Sequence, residues 1–152
     1  MKPEDSILLA EDSKEDILIF RYAYKEARLP NALQVVTDGV AAVEYLEGKG
    51  DYGNRELHPF PRLLLLDLRM PKIPGLEVLK FVRKHAEWAE LVVVIFSTSD
   101  QPADVEGARE HGADGYIIKP SHPDELVRFL RSLRNEDFAS RRLPSWISGR
   151  LS

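Results

Sequence analysis

Five short runs of apolar residues limit the folds open to this chain more than any other feature. They span residues 7–10, 33–37, 63–66, 91–96 and 116–118. Most of them are continuous rather than alternating, which is typical of strands buried on both faces in a parallel sheet. The sequence therefore predicts five buried, parallel strands.

Longer amphipathic stretches, with apolar residues at helical spacing, separate these runs. Residues suited to helix N-termini stand at their starts: Asp12 or Ser13, Asp38, Gly75, Asp100, and His122 with Pro123. A strand followed by a helix, five times over, predicts an α/β fold with a parallel sheet and right-handed crossovers.

Composition and charge exclude several classes of function. The chain of 152 residues has room for one domain, carries a formal net charge of −4 and contains no cysteine. Disulfides, zinc–thiolate sites and cysteine nucleophiles are therefore excluded, and there is no basic cluster for a nucleic acid. The run at 7–10 is too short for a signal peptide or a membrane span, so we expect a cytoplasmic protein with no membrane partner.

The residues that follow the strands carry the chemistry, because ligands collect at the carboxyl ends of parallel strands. Three carboxylates, a group of hydroxyls and a lysine are expected along this edge: Glu11, Asp12, Asp67, Ser97, Thr98, Ser99 and Lys119. Clustered carboxylates repel one another, and a hard cation such as Mg²⁺ relieves that repulsion. A carboxylate nucleophile facing Mg²⁺ and a lysine is the arrangement expected for forming an aspartyl phosphate.

Each of these residues also has a plain structural interpretation. Taken alone, Asp12 suits a helix N-cap, Lys119 a solvated loop, and Ser97 local hydrogen bonding at a strand end. Asp67 is harder to explain in this way, because it follows four consecutive leucines. The joint occurrence of these chemical types at four strand ends favours a functional site.

Four motifs resemble those of CheY-type receiver domains of two-component signalling. They are Ile-Leu-Leu-Ala-Glu-Asp at 7–12, Leu-Leu-Leu-Asp-Leu-Arg-Met-Pro at 64–71 with Gly75, Phe-Ser-Thr-Ser at 96–99, and Gly-Tyr-Ile-Ile-Lys-Pro at 115–120. The resemblance covers residues 5–135, which we take as the domain. It implies a flavodoxin-like (βα)5 fold, with a five-stranded parallel sheet in the order 2-1-3-4-5 and helices on both faces.

The resemblance implies a role for each charged residue of the motifs. Asp67 would be the phosphoacceptor. Mg²⁺ would be bound by Asp12, Asp67, the backbone carbonyl of Arg69 and, mainly through water, Glu11. Lys119 would contact the phosphoryl group, and the Arg69 side chain would tune how fast that group is lost.

The same resemblance assigns the hydroxyls and the aromatic residue. Ser97 and Thr98 would contact the phosphoryl group, and Ser99 would tune its loss. Ser97 and Tyr116 would form the switch, with Tyr116 turning inward on activation, although Tyr116 alone suits a half-buried strand position. Pro120 would follow a cis peptide bond. Beyond promoting its own phosphorylation and dephosphorylation, such a protein is not an enzyme.

A narrower resemblance concerns the segments at 50–61 and 138–144, which are similar to those of receivers paired with bacterial and cyanobacterial phytochromes. It implies a sensor histidine kinase, a bacteriophytochrome, as the partner, and a homodimer. The tail at 136–152 either clasps a second protomer or packs on its own domain. Because it is too short for a DNA-binding domain, output would pass through a surface that binds an unknown downstream protein.

Three competing interpretations have weaker support. Residues 48–53 fit the dinucleotide motif G-x-G-x-x-G, but a helix precedes them and prolines follow, so we expect a flexible loop. An aspartyl phosphatase of the haloacid-dehalogenase kind would need an acid where Arg69 stands. A pseudo-receiver that takes no phosphate would not need the full set of acids, hydroxyl and lysine.

Overall fold

The computed structural model describes residues 1–135 and the backbone of residues 148–149. Its strands are β1 (Ile7–Ala10), β2 (Leu33–Val36), β3 (Leu63–Leu66), β4 (Val92–Ser97), β5 (Gly115–Ile118) and β6 (Ser148–Gly149). Its helices are α1 (Lys14–Ala27), α2 (Gly39–Glu47), α3 (Gly75–Lys84), α4 (Pro102–Glu110) and α5 (Pro123–Ser132). The five predicted strands and five predicted helices are confirmed, each within a few residues of its expected ends.

The sheet is parallel throughout and has the strand order 2-1-3-4-5-6. The predicted order 2-1-3-4-5 is thus confirmed, and β6 adds a short strand beside β5 that was not predicted. Ile7 lies opposite both Leu33 and Leu63, so β1, β2 and β3 start level with one another. Level strands bring the residues that follow them to one common edge, which we call the carboxyl rim.

The strands separate two hydrophobic cores because successive side chains point to opposite faces. Leu8 and Ala10 belong to the core that α2, α3 and α4 cover, whereas Ile7 and Leu9 belong to the core under α1 and α5. Burial on both faces explains why the runs are continuously apolar. Helices therefore lie on both faces of the sheet, as expected.

The starts of three helices fix the approach of the chain to the carboxyl rim. Of the two candidate caps for α1, Ser13 takes the role: its Oγ accepts from the Asp16 N–H at 3.3 Å. Asp38 Oδ1 accepts from the Ala41 N–H at 2.7 Å and caps α2.

Gly75 is the first residue of α3 rather than the residue before it, and a Cβ there would lie 2.1 Å from the backbone oxygen of Asp67. Only glycine lets α3 start this close to the end of β3.

The segment between α2 and β3 is ordered by one arginine. The Arg55 guanidinium donates to the carbonyls of Tyr45 and Leu46, each at 2.8 Å, and to that of His58 at 3.1 Å. The bonds to Tyr45 and Leu46 add partners to carbonyls of the last turn of α2, and the bond to His58 fixes the segment itself. The segment leads from a helix into a strand, which is the reverse of the strand-to-helix order that a dinucleotide motif needs, and it is more structured than the expected flexible loop.

Among the helices in the described part of the chain, none combines the length and apolar character that a membrane span needs.

Candidate functional site

Three carboxylates meet at the carboxyl rim, as predicted. Glu11 and Asp12 follow β1 and Asp67 follows β3, and each side chain offers one oxygen within 4.8 Å of the oxygens of the other two. Glu11 and Asp67 are only 1% and 6% exposed, whereas Asp12 is exposed. The Asp67 N–H donates to the Ala10 carbonyl at 3.1 Å, so the pairing of β3 with β1 places this side chain beside Glu11.

Lys119 reaches this cluster from the end of β5. Its Nζ lies 2.5 Å from Glu11 Oε1, 2.8 Å from Asp16 Oδ2 and 3.0 Å from Asp67 Oδ2. Burial alone would lower the pKa of Lys119, but the hydrogen bonds to these three carboxylates together outweigh burial and raise it. The ammonium group is therefore charged and faces an excess of negative groups.

Glu11 has a perturbed pKa in this cluster. Burial is the main reason that its pKa is raised to about 7; Lys119 opposes the shift and the neighbouring Asp67 adds to it. Oxygen ligands of this kind, in excess over the neighbouring positive charge, are the set that a hard divalent cation prefers. Glu11, Asp12 and Asp67 therefore fit a divalent metal ion.

The hydroxyl side of the site follows β4. Ser97 is fully buried, and its Oγ accepts from the Ser99 N–H at 3.1 Å. Ser99 Oγ donates to the Asp104 carboxylate on α4. Thr98, between the two serines, is exposed. Hydrogen bonds thus connect the end of β4 to the first turn of α4.

The Tyr116 side chain lies in the interior of this same region. It is fully buried, and its hydroxyl donates to the backbone carbonyl of Ser99 at 2.8 Å. Burial raises the pKa of Tyr116 above its usual range. The inward position that we expected of an activated switch tyrosine is the position in this structure.

Comparison with known protein families identifies the family of this chain. Residues 7–131 match the family described as the response regulator receiver domain. The chain belongs to the response regulator receiver domain family. The matched range includes Glu11, Asp12, Asp67, Ser97, Tyr116 and Lys119, whose roles stay predictions.

Individual relatives are similar over most of their length. The chain is 32% identical to the response regulator Rcp1 of Synechocystis sp. over 88% of both chains. It is 30% identical to the phosphorylated cyanobacterial phytochrome response regulator RcpA, with a TM-score of 0.79 over 93% of this chain and 99% of the other. It is also 30% identical to the Mn²⁺-bound form of Rcp1, with a TM-score of 0.75 over the same shares.

Two acidic residues of this receiver domain were missed by the motif analysis. Asp16, in the first turn of α1, contacts Lys119, and Asp104, in the first turn of α4, contacts Ser99. Asp12 precedes the Ser13 cap, so no helical spacing connects it to Asp16. For Asp16 the sequence offered only an acid in the first turn of a helix. For Asp104 the sequence offered only an acid near a helix N-terminus, which is a common feature.

The prediction of a cis peptide bond at Pro120 is wrong for this receiver domain. No peptide bond in the described residues is cis, and the Lys119–Pro120 bond is trans. The trans form is favoured by about 0.5–1 kcal/mol before proline unless the fold opposes it. Here the Lys119 N–H donates to the Ser97 carbonyl at 2.8 Å, and the carboxylates hold its ammonium group, so Lys119 reaches the site with the trans bond.

The backbone carbonyl of Arg69 and the rate-tuning roles of Arg69 and Ser99 stay predictions. Arg69 is exposed, and its N–H donates to Asp67 Oδ1 at 3.1 Å, which ties the chain two residues beyond Asp67 back to the site.

Proposed function

We propose that this protein is a phosphorylation switch that accepts a phosphoryl group on Asp67. The observation that carries the proposal is a buried aspartate carboxylate that shares one lysine ammonium with Glu11 and one potential metal position with Glu11 and Asp12. An aspartate that only stabilises the fold would need one hydrogen-bond or ion-pair partner. A phosphoacceptor aspartate also needs positive charge close to where the phosphoryl oxygens bind.

Phosphoryl transfer from a histidine kinase would form one bond to phosphorus and break another. An oxygen of Asp67 forms a bond to phosphorus as the phosphorus–nitrogen bond of phosphohistidine breaks, and the electron pair of that bond stays on the histidine nitrogen, which takes a proton. Mg²⁺, when bound, would supply positive charge to the phosphoryl oxygens. Glu11, Asp12, Asp67 and the Arg69 carbonyl would hold it.

The remaining residues act on the phosphoryl group itself. Lys119 would neutralise part of its charge, and Ser97, with Thr98, would donate hydroxyl hydrogen bonds to its oxygens. Ser97 Oγ accepts from the Ser99 N–H, and this bond does not use the hydroxyl hydrogen of Ser97. In this scheme the protein promotes only its own phosphorylation and dephosphorylation and is otherwise not an enzyme.

A mass measurement after treatment with acetyl phosphate and Mg²⁺ tests the proposal. Wild type should gain one phosphoryl group, Asp67→Asn should gain none, and Asp100→Asn, an exposed aspartate after the same rim strand as Ser97, should behave as wild type. Turnover of acetyl phosphate without an adduct would indicate a phosphatase. No reaction at all, or an adduct on Asp67→Asn, would contradict the proposal.

We infer further that the donor is a sensor histidine kinase, a phytochrome kinase first among candidates, acting in the cytoplasm. The support is similarity to a regulator described as belonging to cyanobacterial phytochrome signalling. A donor that reaches Asp67 must also cover the surface beside the carboxyl rim. Helix α1 starts there and exposes three large apolar side chains, Leu18 (69% exposed), Ile19 (46%) and Tyr22 (58%).

A pair of matched leucine variants tests this docking face. Leu18→Asp should slow transfer from the kinase at least tenfold, because it places a charge in the apolar contact, yet leave reaction with acetyl phosphate unchanged. Leu57→Asp is the control, since Leu57 is exposed to a similar degree, 65%, in the segment before β3. Equal transfer to both variants would remove α1 from the donor interface.

For output, we propose that phosphorylation biases the packing of β4, α4 and β5, with Ser97 and Tyr116 as the reporting pair. The bonds from Tyr116 to Ser99 and from Ser99 to Asp104 support this, because they connect the phosphoryl pocket to α4. A downstream protein would bind that face.

We also propose a homodimer, with the tail at 136–152 as the clasp. Most of this tail lies outside the described residues, and residues 148–149 pair with β5 of the same chain. Sedimentation of a variant that lacks residues 138–152 tests the clasp. An oligomeric state equal to that of the full chain would remove it.

A further inference from the structure

Asp16 contacts the lysine of the site without belonging to the metal-binding group. Its Oδ2 lies 2.8 Å from Lys119 Nζ, whereas the carboxylates that could share a metal ion are Glu11, Asp12 and Asp67. Glu11, Asp12 and Asp67 come from strand ends, and Asp16 comes from α1. Its side chain is 34% exposed, so it stands at the outer edge of the cluster.

Both ends of this ion pair are anchored by the backbone. The Asp16 N–H donates to the Ser13 cap at 3.3 Å, and the Lys119 N–H donates to the Ser97 carbonyl at 2.8 Å. The pair therefore joins two rigid elements, α1 and β5, across 103 positions of the sequence. Because both backbone positions are fixed, the pair separates by rotation of the two side chains rather than by movement of the elements.

The Lys119 ammonium group is crowded by carboxylates. Its Nζ donates hydrogen bonds to Asp16 and Asp67, and Glu11 Oε1 lies 2.5 Å away as a third, ion-paired neighbour. A phosphoryl oxygen that approaches Lys119 therefore competes with these carboxylates for the ammonium group. Glu11 and Asp67 would have a bound metal ion as an alternative partner, whereas Asp16 lies outside the group that could share the ion.

We propose that Asp16 is a positioning residue that competes with the phosphoryl group for Lys119. This inference rests on the proposed function and adds the residue that sets how strongly the phosphorylated state is favoured. In the resting protein Asp16 keeps Lys119 directed at the rim. In the phosphorylated protein its carboxylate is the group that must yield, so the free energy of the Asp16–Lys119 contact opposes phosphoryl binding.

Beryllofluoride, which binds an aspartate carboxylate as a mimic of the phosphoryl group, is the probe. At saturating Mg²⁺, Asp16→Asn should bind it about three to ten times more tightly than wild type, because one charged competitor for the lysine is gone and a partly exposed ion pair is of modest strength. Affinity for Mg²⁺ alone should change less than about twofold, since Asp16 is not a ligand. Titration calorimetry measures both affinities.

Glu15→Gln is the matched control, because Glu15 is an exposed acid in the same helical turn and has no contact with Lys119 among those of the site. It removes the same charge and should leave beryllofluoride binding unchanged. Asp16→Ser should tighten binding as Asp16→Asn does, and Asp16→Glu, which keeps the carboxylate, should return it towards the wild-type value. These patterns separate competition for the lysine from an effect on helix α1.

Two failures are distinguishable. If wild type does not bind beryllofluoride, or if Asp67→Asn binds it equally well, the proposed function is wrong. If binding depends on Asp67 but Asp16→Asn matches Glu15→Gln or binds more weakly, then only the role of Asp16 is overturned.

Discussion

Two charged clusters lie at opposite ends of the same sheet, and they are built differently. At the carboxyl rim, Lys119 lies within ion-pair distance of three carboxylates, those of Glu11, Asp16 and Asp67. At the amino ends of β4 and β5, Arg83 Nη2 lies 2.8 Å from Asp114 Oδ2.

The second cluster is also satisfied by hydrogen bonds. Arg83 donates to the carbonyls of Gly112 and Leu91, each at 2.9 Å, and Asp114 Oδ2 accepts from the Val93 N–H at 3.0 Å. These bonds tie the end of α3 to the starts of β4 and β5. A buried ion pair that is also bonded to the backbone of three elements thus holds the fold together, whereas three carboxylates around one lysine suit a cation that the fold itself does not supply.

The largest effect is expected where the buried ion pair is broken. Asp114→Ala should lower the free energy of unfolding by about 3–5 kcal/mol, because it removes a carboxylate that pairs with the largely buried Arg83 guanidinium. Only 16% of the Arg83 side chain is exposed. Urea unfolding measures the change. A loss below about 1 kcal/mol would mean that water reaches Arg83 and that the two clusters do not differ as described.

The next largest change in the free energy of unfolding is expected when a cation adds positive charge at the carboxyl rim. Mg²⁺ at about 100 times its dissociation constant should add about 2.7 kcal/mol to the free energy of unfolding, provided that it binds only the folded chain. Asp12→Asn should lose most of this increment, and Asp114→Ala should keep it. If both variants kept it, the ion would be binding outside the carboxyl rim.

A smaller stabilisation is expected when the excess negative charge at the carboxyl rim is reduced by mutation. Without metal, Asp67→Asn should raise the free energy of unfolding by about 1 kcal/mol, a stabilisation of the size common when a functional residue is neutralised. The amide keeps the position of a hydrogen-bond acceptor and removes one like charge beside Glu11. Thermal unfolding in a chelator checks the sign. A destabilised Asp67→Asn would show that Lys119 already balances the rim.

The sequence was sufficient for one of these two clusters and not for the other. Five apolar runs with acids, serines and a lysine after them predicted both the sheet and the carboxyl rim, because parallel strands bring such residues together whatever the helices do. Arg83 and Asp114 gave no comparable signal. Each stands near an element end, where single charges are common, and their pairing depends on how α3 packs across the sheet.

The arrangement of Asp16, Tyr116 and Pro120 also depends on the folded site rather than on the order of residues after the strands. Asp16 reaches Lys119 because the start of α1 and the end of β5 meet at the carboxyl rim, which no motif describes. The inward position of Tyr116 is one of two that a strand residue could take. The bond before Pro120 is trans, and the residues around it give no signal that distinguishes the two forms.

The smallest expected effect tests whether location or burial makes the Arg83–Asp114 pair strong. Arg62 and Glu90 also lie near the amino ends of the strands, with Arg62 Nη1 3.7 Å from Glu90 Oε2, but the Glu90 side chain is 90% exposed. Ion pairs in water are weak because solvent screens them and ordering two long side chains costs entropy. Glu90→Ala should therefore change the free energy of unfolding by no more than roughly a tenth of the Asp114→Ala effect. Urea unfolding of the two variants side by side measures the ratio. A ratio near one would assign the stabilisation to this end of the sheet as a whole, because exposure would then have made no difference.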